Sequence, residues 1–385
     1  MEPVSPSVNI HEPLTQGGRF LYRTVRPTNY THTHQANGGF WSASFTLEGQ
    51  QGNIDDWLNN GLGRHIVVYG DALTVAWEGF VNEIVIPYSN LTINAGPFMD
   101  IANKISAFYS TIDTSVLPPT VGYRASLAAA SNTDSQALYG IQEKVLTLGA
   151  TNSTNATIVR NAYLESLAYP AISKSWATGS PAPLHVELKC LGYVHWLNNY
   201  VYNQTATTGT APTSTKILSI LAANPNIATV PFGTSRIDVP STPANVCVYE
   251  YDSVPAWTLI QDCVSQADGA TPPNRWLFGV YEDRNAYYTQ APTEIEYTQR
   301  LSDPAQRILT PNGAPISPWA VRPGKWLRFP DFLLGTAQDS LPQDKGAMFL
   351  ETVTYTAPNQ LQLTEGQTGD IAQLLNQLGL GGGSY

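Results

Sequence analysis

Between Gly39 and Ile86 the apolar and polar residues follow short, regular periods. In the run from Gly39 to Leu47, Trp41, Ala43, Phe45 and Leu47 fall on one side of an extended chain, while Ser42, Ser44 and Thr46 fall on the other. That is the period-two signature of a half-buried strand. Asp55-Asp56-Trp57-Leu58 reads as a turn of helix whose two leading carboxylates complement the helix dipole. Arg64 to Tyr69 and Trp77 to Ile84 then predict a β-hairpin. Strand, helix and hairpin together predict one barrel-like sheet, and no nucleophile, phosphate loop or metal cage interrupts it.

Beyond this block the periods alternate between helical and extended. Phe98, Ile101, Ile105 and Phe108 have the spacing of one buried helix face and predict a helix over 97–111. Pro118-Pro119 marks a boundary near which a second domain begins, with a mixed strand and loop pattern over 121–148. A helix is predicted over 155–169, with Ile158, Ala162, Leu164 and Leu167 as its core side. Leu184, Val186, Leu188 and Cys190 alternate with polar residues as a strand, 205–214 reads as a loop, and 214–223 as a short helix. A helix opened by Pro255 carries Trp257, Ile260, Cys263 and Val264 on one side, and a hairpin from Arg275 turns at Glu282-Asp283-Arg284-Asn285. Trp319 to Leu327 and Met348 to Tyr355 read as two more strands, and Leu374, Leu375 and Leu378 as a short C-terminal helix before a Gly-Gly-Gly-Ser tail. No solenoid repeat appears, and the pattern suggests two barrel-like halves.

Composition narrows the function. Charged residues are 13% of the 385, about half the share usual in soluble proteins, so much of the surface is uncharged and polar. Depletion of charge marks the core of protein contacts. With 20 Lys plus Arg against 30 Asp plus Glu, the net charge of −10 argues against a protein that grips nucleic acid by its phosphates. An acidic wall suits a conduit past which DNA slides. The three cysteines, Cys190, Cys247 and Cys263, form no C-x-x-C pair and read as buried free thiols. The N-terminus lacks the basic start and apolar core of a signal peptide, and no stretch reaches transmembrane length.

Each candidate for chemistry has a plainer reading. His32 and His34 project to one side of an extended segment, the geometry by which a strand offers two imidazoles to a metal. Two ligands do not make a site, so an exposed loop is the expectation and no metal or cofactor is assigned. Asp55-Asp56 and Glu282-Asp283 are adjacent acids, whereas glycoside hydrolysis needs carboxylates across a sugar; helix-start and turn roles are expected. The G-x-S-x-G, P-loop and H-E-x-x-H motifs are absent. Nine tryptophans and twenty tyrosines leave open a rival reading as a secreted carbohydrate-binding or glycan-cleaving β-protein, although their alternating positions favour packing.

Four blocks carry a resemblance: Gly61 to Tyr69 with Trp77-Glu-Gly-Phe-Val; Leu188-Lys-Cys-Leu-Gly-Tyr; Arg275-Trp-Leu-Phe-Gly-Val-Tyr-Glu-Asp-Arg; and Pro318-Trp-Ala-Val-Arg-Pro-Gly-Lys-Trp-Leu. In their order, and in the length of the chain, they resemble the baseplate hub or tail-tip hub proteins of tailed bacteriophages. The resemblance implies a mainly β (α+β) fold with two tail-tube-like β-barrels and a small helix-plus-hairpin insertion. The first barrel would occupy 1–110, the second 111–240 and 301–370, the insertion 241–300, and a helix and tail 371–385. It implies a non-enzymatic homotrimer, a hub ring joining the six-fold tail tube to the three-fold tip of the virion, assembled in the host bacterial cytoplasm. Its partners would be distal tail or tail-tube ring proteins, the tape-measure protein, and tip, spike or fibre proteins, with DNA passing unbound. The hub of a phage-derived contractile injection machine would share the fold. Trp77, Gly79, Phe80, Trp319 and Trp326 are the expected packing positions, and Arg64 and Arg322 the expected charge-assisted contacts at boundaries.

Overall fold

The computed structural model describes residues 6–16, 20–48, 54–71, 74–113, 115–202, 210–223, 232–241, 245–247, 254–270, 274–331, 346–358 and 360–365. In chain order the strands are β1 (Ser7–Pro13), β2 (Leu21–Val25), β3 (Thr28–Gln35), β4 (Gly38–Glu48), β5 (Arg64–Tyr69), β6 (Val75–Tyr88), β7 (Leu91–Ala95), β8 (Lys104–Asp113), β9 (Thr120–Ser131), β10 (Glu143–Ala150), β11 (Ile172–Trp176), β12 (His185–Gly192), β13 (Val201–Tyr202), β14 (Thr210–Pro212), β15 (Gly233–Ile237), β16 (Asn245–Cys247), β17 (Val254–Pro255), β18 (Trp276–Val280), β19 (Asn285–Gln290), β20 (Ile295–Gln299), β21 (Ile308–Leu309), β22 (Trp326–Arg328), β23 (Ala347–Thr356) and β24 (Gln360–Glu365). The helices are α1 (Ile54–Asn60), α2 (Thr133–Tyr139), α3 (Ser153–Leu167), α4 (Thr213–Ala223) and α5 (Ala256–Gln266). The fold is mainly β, organised on a curled, half-barrel sheet.

The spine of that sheet runs β2–β1–β5–β6–β12–β4–β3–β23–β24, each strand antiparallel to the next. Strand β6 is its longest member. One edge of β6 pairs first with β5 and then, from Ile84, with β7, while its other edge pairs with β12 from Gly79 to Val85. The alternation expected of β4 holds at Ala43, Phe45 and Leu47, which are buried. It fails at Trp41, which is half-buried while Phe40 takes the inside position. Thr33 pairs with Ser42 and His34 with Phe40, so a bulge leaves Trp41 without a partner on β3 and turns it out of phase.

Other predicted elements are in place, some with corrections. The helix from Pro255, the short helix after residue 212, the strand through Cys190 and the hairpin from Arg275 all form. The helix predicted over 97–111 does not. A short 3₁₀ turn, Phe98–Asp100, is followed by β8, which lies between β9 and β10 in a three-stranded sheet. Ile105 to Tyr109 are all buried, and a central strand covered on both faces loses its period of two, so its apolar run mimics a helix face. Pro118-Pro119 lies in the turn between β8 and β9. The helix predicted over 155–169 forms as α3, but Ile158 is 62% exposed and Ala162 is also exposed. The inward side runs through Ala156, Leu164 and Leu167. Ile158, two residues from Ala156, points to the opposite side of a helix with 3.6 residues per turn.

Trp319 sits in a 3₁₀ turn (Pro318–Ala320) capped by Ser317, not in a strand, and strand structure begins only at Trp326. Pro318 and Pro323 lack the N–H a ladder needs. Among the cysteines, Cys190 and Cys263 are buried free thiols, while the side chain of Cys247, residues 205–209 of the predicted loop and the C-terminal helix at 374–378 fall outside the described residues; the rest of that loop, 210–214, is instead β14 and the start of α4.

Candidate functional site

The four sequence blocks meet at β6. Block one is the β5–β6 hairpin itself, and block two is β12, paired with β6 through Gly192 and Gly79. Block three ends in the turn after β18, where the Asp283 amide donates to Glu78 Oε2 at 2.6 Å and Arg284 lies 3.4 Å from Glu78 Oε1. Block four supplies Arg322, whose guanidinium donates to the carbonyls of Trp319 (2.9 Å) and of Val75 on β6 (3.1 Å).

The packing residues of this joint are deeply buried. Trp77 and Phe80 have no exposed surface. Phe80 meets Trp196 edge-on at 4.9 Å and lies 5.5 Å from Phe98 and 5.6 Å from Tyr193. Gly79 is required by crowding: a Cβ there would sit 2.2 Å from the Leu191 carbonyl oxygen and 2.3 Å from the Trp77 ring. Trp319 lies 3.8 Å from Tyr355 and stacks on Tyr30 and His32. Trp326 stands apart, on Phe349 (5.4 Å) with its Nε1 donating to the Pro292 carbonyl (3.1 Å). Arg64 is also separate. It donates through both terminal nitrogens to Asp56, at 3.0 and 2.9 Å, and lies over the rings of Tyr22 and Trp57. Burial would raise the Asp56 carboxyl, but hydrogen bonds from Arg64 and Tyr22 bring it to about 2.

Polar groups in the joint are set by burial. Glu78 is pushed up to about 7 by burial, with Arg284 and the Asp283 amide opposing. His65, 3.8 Å from Glu78 and hydrogen-bonded to the Tyr193 hydroxyl at 2.8 Å, is held to about 3 by burial, His11 and Arg284. His32 and His34 are not in an exposed loop. Both are buried on β3, where their rings stack 4.6 Å apart. Burial holds His32 to about 3, and His34 is lowered by burial and its neighbour His32. Tyr30 and the Ala76 carbonyl hydrogen-bond to them, so these are neutral packing imidazoles. Among the described residues no group of three His, Cys, Asp or Glu is placed to hold a metal ion, and no helix is long and apolar enough to cross a membrane.

A second region has the opposite character. Among the described residues, twelve of the nineteen exposed large apolar side chains fall between Ile112 and Trp176. They lie on β8, β9 and the turn between them, on α2, on α3 and the turn after it, and on β11, and include Tyr123 (76% exposed), Trp176 (69%) and Val121 (67%). No residue of β9 is buried, and its described strand partner is β8 alone. All five residues of β11 are exposed, and it pairs with β7. Arg160 of α3 donates to the Ala128 carbonyl of β9 at 2.5 Å, tying helix to strand while Ile158, Val159 and Tyr163 face away from the protein. Sequence reasoning missed this surface. The available signal was the conflict between the phase of Ile158 and that of Leu164 and Leu167 on one helix.

No protein-family model matches the chain, and no curated protein does. Among solved structures it is similar to the tail protein from Neisseria meningitidis MC58 (9% identity, 94% of this chain and 96% of that one, TM-score 0.41). It is also similar to the 43 kDa tail protein of prophage MuSo2 from Shewanella oneidensis (9%, 94% and 97%, 0.42). A third is the prophage tail protein gp18 from Listeria monocytogenes EGD-e (8%, 98% and 98%, 0.39).

Proposed function

We propose that this chain is a non-enzymatic structural subunit of a phage tail tip or baseplate. Three copies form a hub ring that joins the six-fold tail tube to the three-fold tip and lines the channel for DNA and the tape-measure protein. The observation that carries the reading is the apolar surface of β8–β9, α3 and β11 on a chain with few charges. Exposed apolar surface concentrated in one stretch of chain marks a contact site, and the edge of β9, which has no strand partner besides β8 among the described residues, is one that a neighbour can cover. The buried Glu78, His32, His34 and His65 serve packing in this reading, so no reaction is assigned to them. A subunit of net charge −10 offers passing DNA little counterion release to hold it. Tail-tube rings and the tip, spike or fibre proteins would take the two faces of the ring.

Electron cryo-microscopy of the native particle tests this. The expected result is three copies, or a multiple of three, encircling the central channel, with β9 and α3 covered by a neighbouring subunit. A copy number not divisible by three, or a chain away from the channel, overturns the proposal.

A further inference from the structure

The hairpin β18–β19 has two faces. Phe278, Val280, Ala286 and Tyr288 point into the core. On the other face Leu277, Gly279 and Tyr281 stand beside Tyr287 and Thr289 and form one wall of a cavity of about 360 Å³. The opposite wall is the segment from Arg322 to Lys325, with Pro292 and Glu296 beside it. Two glycines in the lining mark close approaches: a Cβ on Gly279 would lie 2.9 Å from the Gly39 nitrogen and from the Tyr281 ring, and one on Gly324, at φ 79°, 2.8 Å from Leu277 Cδ1.

We infer that this cavity binds a neutral carbohydrate the size of a mono- or disaccharide. Its volume lies in the range of small-molecule sites. The four charged groups that line it are two acids, Glu282 and Glu296, and two bases, Arg322 and Lys325. All four are already engaged. Lys325 Nζ is 2.5 Å from Glu296, the Tyr287 hydroxyl donates to Glu282 at 2.6 Å, and Arg322 is spent on two backbone carbonyls. A charged ligand would have to displace one of these partners and strand the other. A polyol need not, because its hydroxyls donate to the spare lone pairs of the carboxylates and exchange hydrogen bonds with Thr289 and Gln290. The apolar component of a sugar, its C–H faces, has matching surface in Tyr281 and Tyr287, whose rings meet edge-to-face at 5.2 Å, and in Pro292 and Pro323. The site lies apart from the β9–α3 surface, so it holds or fails independently of the ring.

The test is saturation-transfer NMR and calorimetric titration of the full chain with maltose, cellobiose and N,N′-diacetylchitobiose, and with 3′-sialyllactose as an acidic counterpart. The expected result is saturable binding of at least one neutral disaccharide. Thr289→Trp, which fills the cavity from a half-exposed strand position, should weaken it by about tenfold or more. Gln290→Ala, an exposed truncation that leaves the hairpin core untouched, should weaken it in the same direction and guards against misfolding of the larger variant. Absence of binding by all three neutral sugars, tighter binding of 3′-sialyllactose, or binding unchanged in folded Thr289→Trp and Gln290→Ala overturns the inference. Because these titrations do not depend on assembly, their failure is distinct from failure of the hub proposal.

Discussion

Strands β6 and β9 are both long, 14 and 12 residues, and both belong to antiparallel hairpins, yet they use their side chains in opposite ways. On β6, Ala76 to Val81 are all buried between β5, β12 and the hairpin turn at 283–284. Even Glu78 is used inside the protein. On β9 no residue is buried, and Val121 and Tyr123 carry their apolar surface to the outside. Under the proposed function, the difference separates the two tasks of an assembling subunit. One region fixes the shape of the chain, and the other leaves apolar surface for a contact that the single chain does not make.

The strongest way to break this comparison is to empty the joint. Phe80→Ala removes a side chain with no exposed surface from a cluster with Trp196, Phe98 and Tyr193. It should destabilise the folded chain by about 4 kcal/mol, because the packed rings around it cannot collapse into the void. Urea unfolding of the isolated chain measures this. A loss below about 1 kcal/mol would mean that the joint is less tightly packed than its burial states.

Acid should act on the same region. His32 and His65 are held to about 3 in the folded protein against an ordinary value of 6.5. A depressed folded value means that the neutral ring is favoured by folding. That stability is fully present above pH 6.5 and is lost as pH falls toward about 3, because the unfolded chain takes up the proton first. At pH 4.5, His32 alone withdraws on the order of 3 kcal/mol. His32→Phe, which keeps a flat ring in the stack with His34 and Tyr355, should lower the midpoint of acid unfolding. An unchanged midpoint would remove His32 from the account.

How far the sequence announces each region follows from these contacts. The joint is legible on β4 and β12, which bury alternate positions, so Phe45, Leu188 and Cys190 declare themselves by period, whereas β5 and β6 are buried at consecutive positions and show only as largely apolar runs. Where packing covers both faces of a strand, as at Ile105 to Tyr109, the period vanishes and the apolar run carries the spacing of a helix face. Trp41 escaped because a bulge is a property of strand pairing, which one strand's pattern does not contain. His32 and His34 look like surface polar residues until β23 is laid beside β3. The β9–α3 surface was illegible for a different reason: apolar residues were assigned inward by default, and only the phase of α3 contradicts that for Ile158. The glutamate joint was half legible, since the turn at 282–285 was expected but its docking on Glu78, 205 residues away in sequence, was not.

Glu78 offers a finer comparison inside the joint, because its sign is opposite to that of the histidines. Its folded value of about 7 lies above the ordinary 4.5, so the stability it contributes as a neutral acid is fully present below pH 4.5 and lost as pH rises through about 7. The slope reaches at most about 1.4 kcal/mol per pH unit. Glu78→Gln retains an acceptor for the Asp283 amide and removes the titration. The difference in stability between wild type and variant should therefore drift with pH between 4.5 and about 7 and level off above it. Denaturant titrations at several pH values measure that drift, and a difference constant across the window would mean that Glu78 keeps its ordinary acidity.

The smallest effect on the fold should come from the outer region, and there its smallness is what separates the two regions. Val121→Ser, Tyr123→Ser and Ile158→Ser change side chains that are 67%, 76% and 62% exposed. Because these groups are already in water in the single chain, little is lost on replacing them, and each should alter unfolding free energy by no more than about 0.5 kcal/mol. In an assembled ring the same groups would be buried, and losing three apolar contacts from one patch should abolish association where hot-spot residues carry most of the energy. Light scattering of the triple variant against the native chain, paired with its urea midpoint, reads both quantities. A triple variant that unfolds with β6-like losses would place these side chains in the core, and one that assembles like the native chain would move the subunit contact to another surface. Unchanged unfolding with lost assembly is the outcome that a joint for shape and a separate surface for contact require.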